Sequence, residues 1–284
     1  MLKQRVITAV VLLAILLPAL FWPTPGPFAA LMLLLIAAGG WEFGRLNGCS
    51  EAASVSLGAL CAAFCAAAWG AGWLDRPLPL VWTAAGGAWV LAGSGLLRAG
   101  VRGWPGIPRI VRLAGGLLAL FLAWLAVVQA RAIGINFLLS VLLLVWVADI
   151  AAYFAGRAFG LKFTRNKLAP AISPGKSWEG VWGGMAGVLV LAFAWVAGDA
   201  HWQAQVPSLY TRLAAAGAWL VVLGVLFLTA MSVVGDLAES LVKRSAGAKD
   251  SSGLLPGHGG VLDRVDALLP TLPLAMMLYT YARP

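Results

Sequence analysis

Charge is what this chain has least of. Aspartate, glutamate, lysine and arginine make up 11% of its 284 residues, against about 25% in a soluble domain. With 61% hydrophobic residues and a mean hydropathy of +0.89, an ordinary soluble fold is excluded. Cysteine appears three times, an odd number without metal-ligand spacing, which argues against both a disulfide framework and a zinc site. Cys61 and Cys65 lie one helical turn apart in an apolar run and Cys49 lies in a polar loop, so all three read as structural. Internal repeats, low-complexity tracts and an appended soluble domain are missing. So are the short alternating strands of a membrane barrel. What remains is a series of uncharged runs long enough to cross a bilayer, which takes roughly 20 residues. The fold class is therefore an all-α polytopic membrane protein.

Nine spans are expected, at about 6–22, 27–40, 55–73, 78–97, 113–130, 136–156, 181–198, 213–242 and 267–281. The first is followed by WPTPGP and another span, without a small-residue cleavage site, so it reads as a membrane helix and not as a signal peptide. With the N-terminus inside, only Arg76, Arg131, Arg212 and Arg283 of the 20 basic residues fall outside. That asymmetry fits cytoplasmic retention of Lys and Arg and accounts for the +9 charge without nucleic acid as a partner. Two regions follow. Residues 1–130 hold five spans joined by short loops, and 131–284 hold four spans with long cytoplasmic loops.

The second region carries the chemistry. A carboxylate inside a span costs about 2.5–3.5 kcal/mol at the helix centre, so each is a functional candidate. Asp149, Asp236, Glu239, Asp263 and Asp266 all fall near the cytoplasmic ends of their spans. Asp236, Glu239, Ser240 and Lys243 form one helical stripe, and Asp263 and Asp266 are three apart. Plainer roles exist: Asp263 can cap a helix, and Glu239 can pair with Lys243 at i+4. Carboxylates so spaced can also hold a hard cation such as Mg²⁺, which bridges to phosphates. Lys176, Lys243, Arg244, Lys249 and Arg264 lie nearby in sequence among Gly175, Gly253, Gly257, Gly259 and Gly260. Cations with flexible glycines beside carboxylates point to a metal–polyphosphate site.

SPGKSWEG, from Ser173 to Gly180, ends like a P-loop, but that pattern needs glycine where Pro170 stands and a strand before it. The P-loop is rejected. Ser173, Lys176, Ser177 and Glu179 still fall on the site's side of the membrane, with Lys176 a candidate phosphate ligand. His258, between glycines in an ionic loop, is a candidate for phosphate contact or proton handling.

From Ser240 to Asp266 the chain reads S-L-V-K-R-x4-K-D-x-S-x2-L-P-x-H-G-G-V-x-D-R-V-D. This run resembles the signature of the phosphatidate cytidylyltransferases. D-x3-Y-x2-G-R at 149–157 and S-P-x-K-[ST]-x-E-G at 173–180 are similar to other stretches of that family. The likeness extends from about 140 to 270, and residues 1–130 match only as hydrophobic spans. It implies a nucleotidyltransferase of phospholipid biosynthesis: phosphatidate and CTP give CDP-diacylglycerol and pyrophosphate, with one or two Mg²⁺ ions. By the resemblance Asp236, Asp263, Lys243 and Arg264 would be catalytic. Asp149, Asp236, Glu239, Asp263 and Asp266 would supply metal ligands. Ser173, Lys176, Ser177, Glu179, Arg244, Lys249, Asp250, His258, Gly259 and Gly260 would bind substrate. It also implies a homodimer in the bacterial inner membrane, and the count of basic residues turns the site toward the cytoplasm. Two alternatives stand: a CTP-dependent lipid kinase, and a secondary transporter with intramembrane carboxylates. An alcohol phosphotransferase acting on CDP-lipids would need D-G-x2-A-R, which the chain lacks.

Overall fold

The computed structural model describes residues 2–282, and its regular elements are all helices. These are α1 (Leu2–Phe21), α2 (Gly26–Leu46), α3 (Glu51–Gly70), α4 (Pro79–Gly103), α5 (Arg109–Ile133), α6 (Ile135–Phe159), α7 (Trp178–His201), α8 (Leu209–Ala216), α9 (Ala218–Ser245), α10 (Leu262–Val265) and α11 (Leu268–Tyr281). Arg283, assigned to the outer side by the count of basic residues, lies outside the described residues.

Among the described helices, eight are long and apolar enough to cross a membrane: α1 to α7 and α9. The expected ninth span is the 14-residue α11, about 21 Å at 1.5 Å per residue and short of a roughly 30 Å hydrocarbon core. Its residues from Pro270 to Met276 are buried against neighbouring helices. The expected eighth span is two helices, because Gly217 at φ 155° separates α8 from α9. A β-carbon there would meet the Trp219 indole. The fourth extends beyond Leu97 and bends at Gly100, whose φ is 68°.

Packing puts α9 at the centre, against α4, α7, α8 and α11, so the two halves of the sequence form one bundle. α6 and α7 lie unusually close, because Gly180 and Gly184 face the carbonyl oxygens of Ala152 and Ala148. A β-carbon at either glycine would sit 3.0 Å from its carbonyl. Small residues let membrane helices approach in this way.

Polar ties fix each end of the bundle. At one end Arg131 donates to the carbonyls of Leu20 and Trp22 at 2.7 and 2.6 Å. Asp199 accepts from Asn136, Ser208 and Thr211 at the same end. At the other end Thr8 donates to the Pro256 carbonyl at 2.9 Å, joining the start of α1 to the loop before α10.

Candidate functional site

Two polar groups lie on adjacent faces of α9. The first lines a cavity of about 440 Å³ between α6, α7 and α9, walled by Asp149, Tyr153, Arg157, Lys176, Ser177 and Asp236 among others. α6 supplies Asp149 and Arg157, two helical turns apart. α9 supplies Asp236 on the stripe it shares with Thr229 and Val233. The loop between α6 and α7 returns Lys176, whose ammonium pairs with the Asp236 carboxylate. Ser240 donates to the other oxygen of Asp236 at 3.3 Å.

The second group joins α9 to the loop 249–262. Lys243 Nζ lies 2.6 Å from Glu239 and 2.6 Å from Asp263. Neither Glu239 oxygen has a hydrogen-bond donor in good geometry, so that contact is an ion pair without directional bonding. Asp263 also accepts from the backbone N–H of Gly260 at 2.7 Å and of Ser251 at 2.9 Å. Burial works against its charge, but the hydrogen bonds from Lys243, Gly260 and Ser251 outweigh it and hold this carboxyl below the ordinary aspartate value. Asp266, one turn on, behaves oppositely: burial first, then the charge of Asp236, push it up to about 7. Asp149 adds to that push, while the Ala267 N–H and Lys243 pull against it. Asp266 therefore bridges the two groups electrostatically.

The remaining candidates hold loops. Ser177 caps α7 by accepting from Gly180 N–H at 3.2 Å. Glu179 accepts from Phe163 N–H, Thr164 N–H and the Thr164 hydroxyl, closing the loop that carries Lys176. Ser173 stands in a turn closed by its own N–H on the Ala169 carbonyl. Arg244 reaches the carbonyls of Ile172 and Ala248 at 3.3 Å, tying the two loops together. Arg264 donates twice to the His258 carbonyl and does not enter the charged cluster. Lys249 and Asp250 are exposed at the loop's edge. Gly259 takes φ 85°, and a β-carbon there would strike the Asp263 carboxylate. His258 Nδ1 is buried without a partner.

One residue was missed by the reading of the sequence. Glu42, fully buried on α2, accepts from the hydroxyls of Ser251 and Ser252 and from the N–H groups of Val261 and Leu262. It reaches across more than 200 positions of chain to fix the ionic loop. The signal was a single carboxylate in GGWEFGR, just past the expected end of the second span and three residues before Arg45.

Among the described residues, no three Asp, Glu, His or Cys side chains form a ready-made metal cage. Mg²⁺ does not need one, since it is commonly held by one or two carboxylates together with substrate phosphates. Asp149 from α6 and Asp236 from α9, lining one cavity, fit that requirement in donor type, and Asp236 is paired with Lys176.

Comparison with known proteins bears on the whole chain. The family model described as "Cytidylyltransferase family" matches residues 3–282. A phosphatidate cytidylyltransferase of Pseudomonas aeruginosa is 40% identical over 281 residues, covering 96% of this chain and 95% of that protein. One from Haemophilus influenzae is 48% identical over 148 residues, 52% of this chain and 47% of its own length. One from Brucella suis is 44% identical over 183 residues, 63% and 57% respectively.

Proposed function

We propose, because this chain belongs to the cytidylyltransferase family, that it transfers CMP from CTP to phosphatidate, giving CDP-diacylglycerol and pyrophosphate for phospholipid synthesis. The observation that carries this to residues is the pairing of Lys176 with Asp236 in a cavity that Asp149 and Arg157 also line. A secondary transporter would place its carboxylates near the bilayer midplane between related halves. Here Asp236 and Glu239 lie in the loop-bearing third of α9, and Asp263 and Asp266 in the short turns before α11, while Asp149 alone stands near the middle of α6.

The phosphate of phosphatidate, with a second ionisation near pH 6, is mostly dianionic at neutral pH and needs no strong base. One of its oxygens attacks the α-phosphorus of CTP. A new P–O bond forms, the bond to the bridging α–β oxygen breaks, and pyrophosphate leaves with that electron pair. The enzyme's task is to bring two polyanions together. Lys176 and Arg157 would neutralise the phosphates from the protein side. Lys243, held between Glu239 and Asp263, would carry the positive charge of the second group, and the loop Asp250–Gly260 would close over nucleotide. Asp149 and Asp236, with Asp266 next, would hold Mg²⁺. When bound, that ion would supply Lewis-acid screening of the phosphate oxygens and of the departing pyrophosphate. The excess of Lys and Arg at this end of the bundle supports a site facing the cytoplasm. A homodimer belongs to the same reading on the family resemblance alone.

The deciding assay is purified protein in detergent with phosphatidate and CTP labelled at either the α- or the γ-phosphate. Label from the α position should enter the lipid, whereas γ-label in the lipid would mean a kinase. Removing Mg²⁺ with a chelator should abolish turnover. Asp236→Asn and Lys176→Met should each lower kcat by about 10²-fold or more, the scale set by one lost electrostatic group. Near-normal turnover in both would remove these residues from the mechanism.

A further inference from the structure

On the face of α9 turned away from the Asp149–Asp236 cavity lies a second cavity, of about 530 Å³, between α2, α4, α5 and α9. Its walls are nearly all apolar, with Trp89, Gly93, Gly115 and Val242 among them. Two features set it apart from an ordinary packing gap. Trp104, 6% exposed, lines it with an indole N–H that has no acceptor. Arg112 lines it too, with a buried Nε that has no acceptor and its guanidinium carbon 5.7 Å from the Trp104 ring centre. Among the described residues no carboxylate lies within ion-pair distance of Arg112. The one carboxylate in this wall, Glu239, is answered by Lys243 at 2.6 Å. An unmet buried donor is costly, about 1–3 kcal/mol each, so both call for an acceptor.

We infer that this crevice is a binding site for an anionic phosphodiester phospholipid of the bilayer, one whose headgroup carries no cation, separate from the reacting phosphatidate. An acyl chain would lie along the apolar wall of α4 and α5, the phosphate on Arg112 and an ester carbonyl on the Trp104 N–H. Charge selects the class: one uncompensated cation matches a phosphodiester with a single net negative charge, whereas a zwitterionic headgroup already neutralises its own phosphate. The dianionic phosphomonoester of phosphatidate instead matches the Lys176 and Arg157 side of α9. The bend at Gly100 makes the site, since it turns the chain back so that Trp104 faces α5. Occupancy would bear on Glu239, which lines this crevice and pairs with Lys243 of the charged cluster. The inference rests on the proposed function only in calling phosphatidate the reacting lipid.

The full-length protein, delipidated in detergent, would be titrated with dioleoyl phosphatidylglycerol, phosphatidylcholine or phosphatidate. Binding would be read by native mass spectrometry and by the thermal midpoint, which rises with any ligand that binds the folded state. Phosphatidylglycerol should bind at least ten-fold more tightly than phosphatidylcholine. Arg112→Gln should weaken it about ten-fold, and Trp104→Phe by a smaller factor. Gly115 faces open space, so Gly115→Leu should fill the crevice and abolish binding while CTP-dependent turnover persists. Equal binding of phosphatidylglycerol and phosphatidylcholine, or unchanged binding in folded Arg112→Gln and Gly115→Leu, would overturn the site. A raised KM for phosphatidate in Gly115→Leu would overturn it too, by making the crevice the substrate's own seat. Because binding is read without turnover, absence of CDP-diacylglycerol synthesis would count against the proposed function alone.

Discussion

Glu42 shows how much a single side chain can organise. Four donors from the loop 251–262 converge on its carboxylate. Replacing it with Gln keeps the shape but turns one oxygen into a donor that must face donors. Glu42→Gln should therefore lower stability by about 1–3 kcal/mol and speed amide hydrogen exchange across residues 251–262. Unchanged exchange there would show that the loop is held by Asp263 alone. Asp263 carries a pH signature of its own. Its native carboxyl titrates below the unfolded value, so the stability it contributes is present above the ordinary aspartate range. That stability is lost as pH falls from roughly 4 through the lower native value. Thermal midpoints of the wild type should drop over that window, and Asp263→Asn should flatten this part of the profile. Asp149, Asp236, Asp263 and Lys176 were readable in the sequence because charge within apolar helices demands a reason. Glu42 offers the same kind of signal, but its role was hidden, because its partners lie some 210 positions away and no local spacing reveals them.

At the level of elements, close approach decides the geometry. Gly235, beside Asp236 on α9, lets the turn into α11 come so near that a β-carbon would sit 2.5 Å from the Asp266 carbonyl oxygen and 2.7 Å from the Pro270 ring. Backbone cannot swing aside as a side chain can. Gly235→Ala should push α11 outward, at about 1–3 kcal/mol for such overpacking, and should separate Asp266 from Asp236. The expected result is a lower melting temperature in detergent with turnover reduced out of proportion to the folded fraction. Turnover that merely tracks the folded fraction would show that the Asp266–Asp236 approach is not needed. Helix existence was legible from apolar runs for α1 to α7 and α9. The lengths of α8 and α11 were not, because hydropathy does not register a break at Gly217 or a helix shortened by the preceding tight turn.

For the whole molecule, the internal alternation of helices is fixed by contacts while its direction across the membrane is a matter of charge. The Arg131 ties bring the end of α1 to the end of α5, and the Thr8 tie brings the start of α1 to the loop before α10. These contacts group the ends into two sets. The corner holding Cys49 extends that grouping, because Arg109 at the start of α5 donates to the carbonyl of Gly48 at 2.6 Å. By chain alternation, that corner falls in the same set as the loop 249–262. The turn after α7, holding Gln203, falls in the opposite set. The retention of Lys and Arg then predicts that Cys49 faces the cytoplasm and Gln203 the far side. Cys61 and Cys65 are buried, which leaves Cys49 as the thiol open to a membrane-impermeant maleimide. In intact cells the wild type should stay unlabelled until the membrane is permeabilised. A Cys49→Ser, Gln203→Cys variant should label without permeabilisation. The reverse pattern would put the charged cavity on the side where CTP is absent, and the transferase reading would have to be given up along with the orientation.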